Sequence, residues 1–197
     1  MQNWLGIDYG SKLSGTTAIV YRENNHLISR ISAKKQDADQ WLSEKVEQLK
    51  PEAICIDAPL SLPGVYRYPE DYDDYFYRKA DRELKAMSPM FLGGLTARAI
   101  RLSNQWKSKG ILVCESYPGG LARKLLAEAL QYKKGKTQIP AVLEELRKHL
   151  PAGLQFEKQD FQNWHQVDAL LAWLVGYRIH TGVANCFGSE TEGMIWV

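Results

Sequence analysis

The chain has 197 residues, of which 45% are hydrophobic, 24% charged and 11% aromatic, and its formal net charge is +2. That length suits one domain (1–197) with a substantial core and is short for two plus a linker, and the composition excludes a disordered or fibrous chain. A charge so near neutrality excludes a nucleic-acid binder recognisable by basicity alone, without deciding for or against DNA or RNA.

Residues 3–8 (NWLGID) and 15–22 (GTTAIVYR) read as strands joined by the turn-rich YGSKLS, and 27–33 (LISRISA) as a third after the Asn24-Asn25 turn, which predicts an antiparallel meander. Asp37 is the predicted N-cap of a helix that runs to Leu49 with Trp41, Leu42, Val46 and Leu49 on one side, ended by Pro51. AICID at 53–57 is nearly all apolar, as a central strand covered on both faces should be, and APLSLPG breaks it. Residues 66–77 are dense in Tyr and Asp without a period and read as a loop over the sheet face. Helical stretches follow near Arg78–Met87 and Leu95–Trp106, then an apolar strand at 111–115 (ILVCE). Helices are predicted near 119–131 and 138–149, the latter starting at Thr137 with Pro140 in its first turn, and a long last helix from Asn163 to about His180. Short strands at 183–187 and 193–197 are read as a C-terminal hairpin through GSETEG. The fold class is therefore α/β, with a helical insertion between the strand at 53–57 and the one at 111–115.

Cys55, Cys114 and Cys186 stand at wide spacing, which gives no CxxC metal pair and an odd number for a disulfide framework, so a reducing, cytoplasmic setting is expected. MQNWLGIDYG has no basic segment followed by an apolar run and does not read as a secretory signal. The most apolar stretch, Ala169 to Gly176, is far short of the about 20 residues of a membrane span, so no membrane partner is expected.

Three acids carry the chemistry. Asp8 ends the first strand before a glycine-containing turn, and Asp57 ends the fourth before Ala58-Pro59, so both carboxylates sit at a strand's C-terminal edge, where ligands gather in open α/β sheets. At about 100° per residue, Asp168 shares its helix face with Trp164, Leu171, Ala172, Val175 and Ile179. On so apolar a face the carboxylate needs a cation, a proton or a hydrogen-bond partner. Several carboxylates converging from separate elements make a hard oxygen site suited to Mg²⁺ or Mn²⁺, and such ions can activate water and stabilise the leaving oxygen of a phosphodiester.

Each acid also has a structural reading. Asp8 or Asp57 can cap the following turn, and Asp168 can pair with an arginine such as Arg98 or Arg101. Glu115, closing ILVCE, is the fourth candidate by the same strand-end rule, or a turn-bonding residue. His165, one helical turn before Asp168, is a candidate general base or outer partner, or a helix-start cap. Ser11 and Lys12 are placed to reach a phosphate, although GSKLSG lacks the P-loop spacing. Arg82 belongs to a set with Arg78, Lys79 and Lys85 that either contacts a polyanion or, mixed with Asp81 and Glu83, forms an ordinary exposed face.

GIDYGSKLSG resembles the first hairpin of RNase H-like enzymes of the Holliday-junction resolvase branch. Together with AICIDAPLSLP, RKADRELK, ESYPGG and HQVDALLAWLVG it resembles, over nearly the whole chain, an uncharacterised family of predicted RNase H-like nucleases. The resemblance implies an RNase H-like fold, a mixed five-stranded sheet whose first three strands are antiparallel, flanked by helices. It also implies divalent-metal phosphodiester hydrolysis, with Asp8, Asp57 and Asp168 in the positions of the resolvase-type acids and His165 in that of a preceding histidine. The branch usually carries glutamate at the second acidic position; here it is the shorter Asp57, and Glu115 is the residue expected to compensate. Resolvase-type enzymes usually act as dimers, so a homodimer is a further expectation of the resemblance.

The leading reading is a Mg²⁺- or Mn²⁺-dependent nuclease acting on nucleic acid. The alternatives are a nucleotide-binding domain related to actin-like ATPases, which also open with a strand, an Asp and a glycine turn, and a non-catalytic module whose acids hold a structural ion or only hydrogen-bond.

Overall fold

The computed structural model describes residues 3–197; Met1 and Gln2, the start of the segment read for a signal, lie outside them. Strands β1 (Trp4–Asp8), β2 (Ala18–Glu23) and β3 (His26–Ile31) form the expected antiparallel meander. Helix α1 (Ala38–Leu49) begins at Asp37, whose side chain accepts from the backbone N–H of Asp39 and Gln40, and ends at Lys50 in the left-handed conformation just before Pro51. Strand β4 (Ala53–Asp57) then returns beside β1, parallel to it and in register from Trp4↔Ala53 to Asp8↔Asp57.

The segment after β4 is loop with a single 3-10 turn at Gly64–Tyr66, followed by α2 (Lys79–Leu84), α3 (Pro89–Leu92) and α4 (Gly94–Ser108). Strand β5 (Leu112–Ser116) lies parallel to β4, and α5 (Pro118–Leu125), α6 (Ile139–Arg147) and α7 (Trp164–His180) follow. The helix expected to reach residue 131 stops at Leu125, because Leu126, Leu130 and Tyr132 turn inward onto the core, a placement one straight helix does not allow.

Seven strands, not five, make up the sheet, in the order β3-β2-β1-β4-β5-β7-β6. The C-terminal hairpin, β6 (Cys186–Ser189) and β7 (Gly193–Trp196), does not stand apart: β7 pairs with β5 in parallel through Glu115↔Ile195 and Ser116↔Trp196, so it extends the sheet. Covering the open edge of β5 removes a row of unpaired backbone groups.

Core residues divide by strand parity, as the two-residue period requires. Trp4, Cys55 and Ala53 face α5, α6 and α7, while Leu5, Ile7, Ile54 and Ile56 face Trp41 and Leu42 of α1 and Leu102 and Trp106 of α4. Helix α7 is apolar nearly all round and is buried without a break from Gln166 to Gly176, as such a helix must be. It crosses β1 at two glycines. A Cβ on Gly6 would lie 2.3 Å from the Ala169 carbonyl oxygen, and one on Gly176 would lie 2.5 Å from the Trp4 ring. That close approach brings the start of α7 down to the C-terminal ends of β1 and β4. Among the described residues no helix is long and apolar enough to cross a membrane.

Candidate functional site

Parallel register puts Asp8 and Asp57 side by side at the ends of the two central strands, on the face that α7 covers. The second turn of α7, whose N-cap is Asn163, opens with Asp168 and adds it to the pair. One carboxylate oxygen from each of Asp8, Asp57 and Asp168 lies within 4.8 Å of the others. The three acids read from the sequence thus converge. Asp8 and Asp168 are buried and Asp57 is half-buried.

Each acid has a different set of neighbours. Asp8 Oδ2 lies 2.7 Å from His165 Nδ1, so the helix-start histidine is the partner of the first acid and does not serve as the helix cap. Asp168 accepts from the Tyr132 hydroxyl and lies 2.5 Å from Lys133 Nζ. Asp57 has no ion-pair partner among the described residues, and among the charges around it the like-charged Asp8 acts on it most strongly.

The electrostatics follow from that arrangement. Burial pushes all three carboxyls up: Asp8 against the pull of His165, Asp57 well above the usual carboxylate range with Asp8 and Asp168 adding repulsion, and Asp168 up to about 6 even with Lys133 beside it. His165 is raised by its bond to Asp8. Burial would lower Lys133, but the acids, Asp168 foremost, raise it and keep it charged.

Three expectations are corrected. Asp168 does not pair with Arg98 or Arg101; both arginines bond Asp39, at 2.6 and 2.9 Å, and Tyr9 donates to the same carboxylate. Glu115 is not a fourth member. Its Cα partner on β4 is Ile56, so its side chain leaves the opposite face from Asp57. There it takes two bonds from the wholly buried Arg78, at 2.7 and 2.6 Å, and one from the Leu60 N–H at 2.8 Å. Arg78 is accordingly no part of an exposed basic face. Of the residues read as phosphate contacts, Lys12 pairs with Asp37 at 3.1 Å in solvent, Ser11 is exposed, and Arg82 pairs with Asp74 and lies 3.8 Å above the Tyr77 ring.

Tyr132 and Lys133 are the site residues that sequence reasoning missed. They sit in the QYKKGK segment, which has no period, and a lysine run there looks solvated. The one available signal was the need of Asp168 for a cation.

A cavity of about 660 Å³ opens beside Asp8 and Asp57; its other walls carry Tyr9, Tyr77, Met87, Phe91 and Tyr117 together with Asp81 and Glu115, and Lys85 and Lys133 are its cations. Met87 and Phe91 are 62% and 63% exposed, more than isolated packing would leave uncovered. No protein-family model matches this chain, and no curated protein matches it at a significant level.

Proposed function

We propose that this chain is a divalent-metal-dependent nuclease of RNase H-like fold that hydrolyses phosphodiester bonds of nucleic acid at Asp8, Asp57 and Asp168. The observation that carries the reading is the juxtaposition of Asp8 and Asp57, in register on parallel central strands, with Asp168 closing the group and no cation on Asp57. The antiparallel β3-β2-β1 meander followed by parallel β4 and β5 supports the RNase H-like part.

The donor set fits Mg²⁺ or Mn²⁺: it is all carboxylate oxygen, two of its members crowd each other, and it opens on a solvent-connected cavity that leaves room for water and phosphate oxygens. An ion held there supplies Lewis-acid polarisation of a phosphoryl oxygen and an acidified water. His165, half exposed and bonded to Asp8, orients that carboxylate and is placed to take or return a proton at Nε2. The aromatic wall offers a stacking surface for an unpaired base next to the acids, which favours single-stranded or locally opened substrates.

The contact between Lys133 and Asp168 favours a second reading, a non-catalytic module whose acids are neutralised internally. Incubation with single-stranded and duplex DNA and RNA in Mn²⁺, set against EDTA and Asp8→Asn, separates the two. Cleavage that needs metal and Asp8 supports the nuclease, and a protein that neither cleaves nor binds Mn²⁺ by calorimetry is the internally neutralised module.

A further inference from the structure

Charge at the acid cluster is distributed unevenly. Asp168 has both a hydroxyl donor and a lysine, Asp8 has the His165 ring, and Asp57 has no ion-paired cation among the described residues and feels Lys133 only across the cluster, against the stronger repulsion of Asp8 and Asp168. The lysine is held there by its surroundings. Tyr132, next to it in the chain, packs edge-on against Trp164 with ring centroids 5.2 Å apart and donates its hydroxyl to Asp168. Gln131 and Lys133 both take the left-handed backbone conformation, at φ 48° and 63°, and Lys133 in that conformation reaches the cluster. The neighbouring Lys134 and Lys136 are exposed and form no ion pair among the described residues, so reaching an acid is particular to Lys133 and not a property of the whole run.

Three ionised carboxylates with one ammonium and one divalent ion sum to zero. Adding a second divalent ion while Lys133 stays leaves two uncompensated positive charges in a largely buried site before any phosphate arrives, which is unfavourable. We propose that this is a one-ion site in which Lys133 takes the place of a second metal: Asp8 and Asp57 hold the ion, and Lys133 neutralises Asp168. The inference rests on the metal-dependent reading of the cluster and assigns Lys133 a positioning role, presenting a fixed positive charge where a two-ion nuclease has an exchangeable one.

The test is stoichiometry and not turnover. Mn²⁺ is titrated calorimetrically into wild type, Lys133→Ala and Lys133→Arg, with circular dichroism as the folding control; the Lys133 side chain is 48% exposed, so its loss leaves the core untouched. The expected result is one equivalent bound by wild type and by Lys133→Arg, and two by Lys133→Ala. Two equivalents on wild type, or one on Lys133→Ala, overturns the role of Lys133 and leaves the metal reading standing. No binding by any of the three removes the metal reading and this inference with it.

Discussion

Replacing Glu115 by Gln keeps the shape of the side chain and removes its charge, and the structure sets what that should do. The carboxylate accepts from Arg78 Nη1, Arg78 Nη2 and the Leu60 N–H, and Arg78 is also bonded to Asp81 through Nε and Nη2. A carboxamide can accept on one side only; its NH₂ stands either at Oε1, donor against Arg78 Nη2, or at Oε2, donor against both Arg78 Nη1 and the Leu60 N–H. Two charge-assisted bonds are weakened or lost, at about 1.5–3 kcal/mol each. Against that, burial already pushes the Glu115 carboxyl up, and Asp81 remains to balance Arg78, so relief of desolvation offsets part of the loss. The net expectation is a destabilisation of about 2–4 kcal/mol, or roughly 4–16 °C in Tm for a domain of this size. Urea and thermal unfolding measure it, and Mn²⁺ calorimetry on the folded variant should match wild type. A Glu115→Gln protein as stable as wild type but deficient in metal binding would refute this account and return Glu115 to the acidic cluster.

Three further outcomes follow from the same geometry. Asp57→Asn removes one of two crowded carboxylates, so in EDTA at neutral pH its unfolding free energy should rise by about 1–2 kcal/mol while Mn²⁺ binding is lost; a less stable apo protein would mean that Asp57 is structural. Burial raises the Asp168 carboxyl from 3.8 to about 6 in the folded chain, so between those values the folded state holds more protons than the unfolded one. Its contribution to apo stability is therefore greatest below about pH 4 and is lost as pH rises through about 6. The difference in Tm between wild type and Asp168→Asn across that window should follow this trend in EDTA, and a flat difference would contradict it. Gly6→Ala puts a methyl 2.3 Å from the Ala169 carbonyl oxygen and 2.4 Å from the Trp173 nitrogen, both backbone atoms of α7. It should cost about 3 kcal/mol or more and weaken Mn²⁺ binding by moving the start of α7, and with it His165, away from Asp8; wild-type stability would show that α7 does not rest on β1 at this point.

Much of the candidate site was legible because its members break local rules. Asp168 is a charge on an otherwise apolar helix face, and Asp8 and Asp57 each end an apolar strand at a turn. Glu115 obeys the same strand-end rule and still faces the other way, since a shift of one residue in the pairing of β5 with β4 inverts the face. Arg78 was read as exposed because its neighbours Lys79 and Arg82 are; only packing reveals that its guanidinium is enclosed by Asp81 and Glu115. The last hairpin looked separate because four-residue strands carry no mark of their partner, and its pairing with β5 is a long-range contact.

By itself the sequence determined the α/β class, the antiparallel opening meander, the capping of α1 at Asp37, the apolar face of α7 that carries Asp168 and the identity of the three clustered acids. These follow from local periodicity, turn chemistry and the cost of burying a charge, all of which act within a few residues. Only the tertiary structure decided the seven-strand order, the face on which each strand-end acid lies, and the partners of Asp168. Register and loop placement are settled by contacts between residues far apart in the chain, such as Asp8 with Asp57 and His165, and Lys133 with Asp168. No short window of sequence contains both members of such a pair.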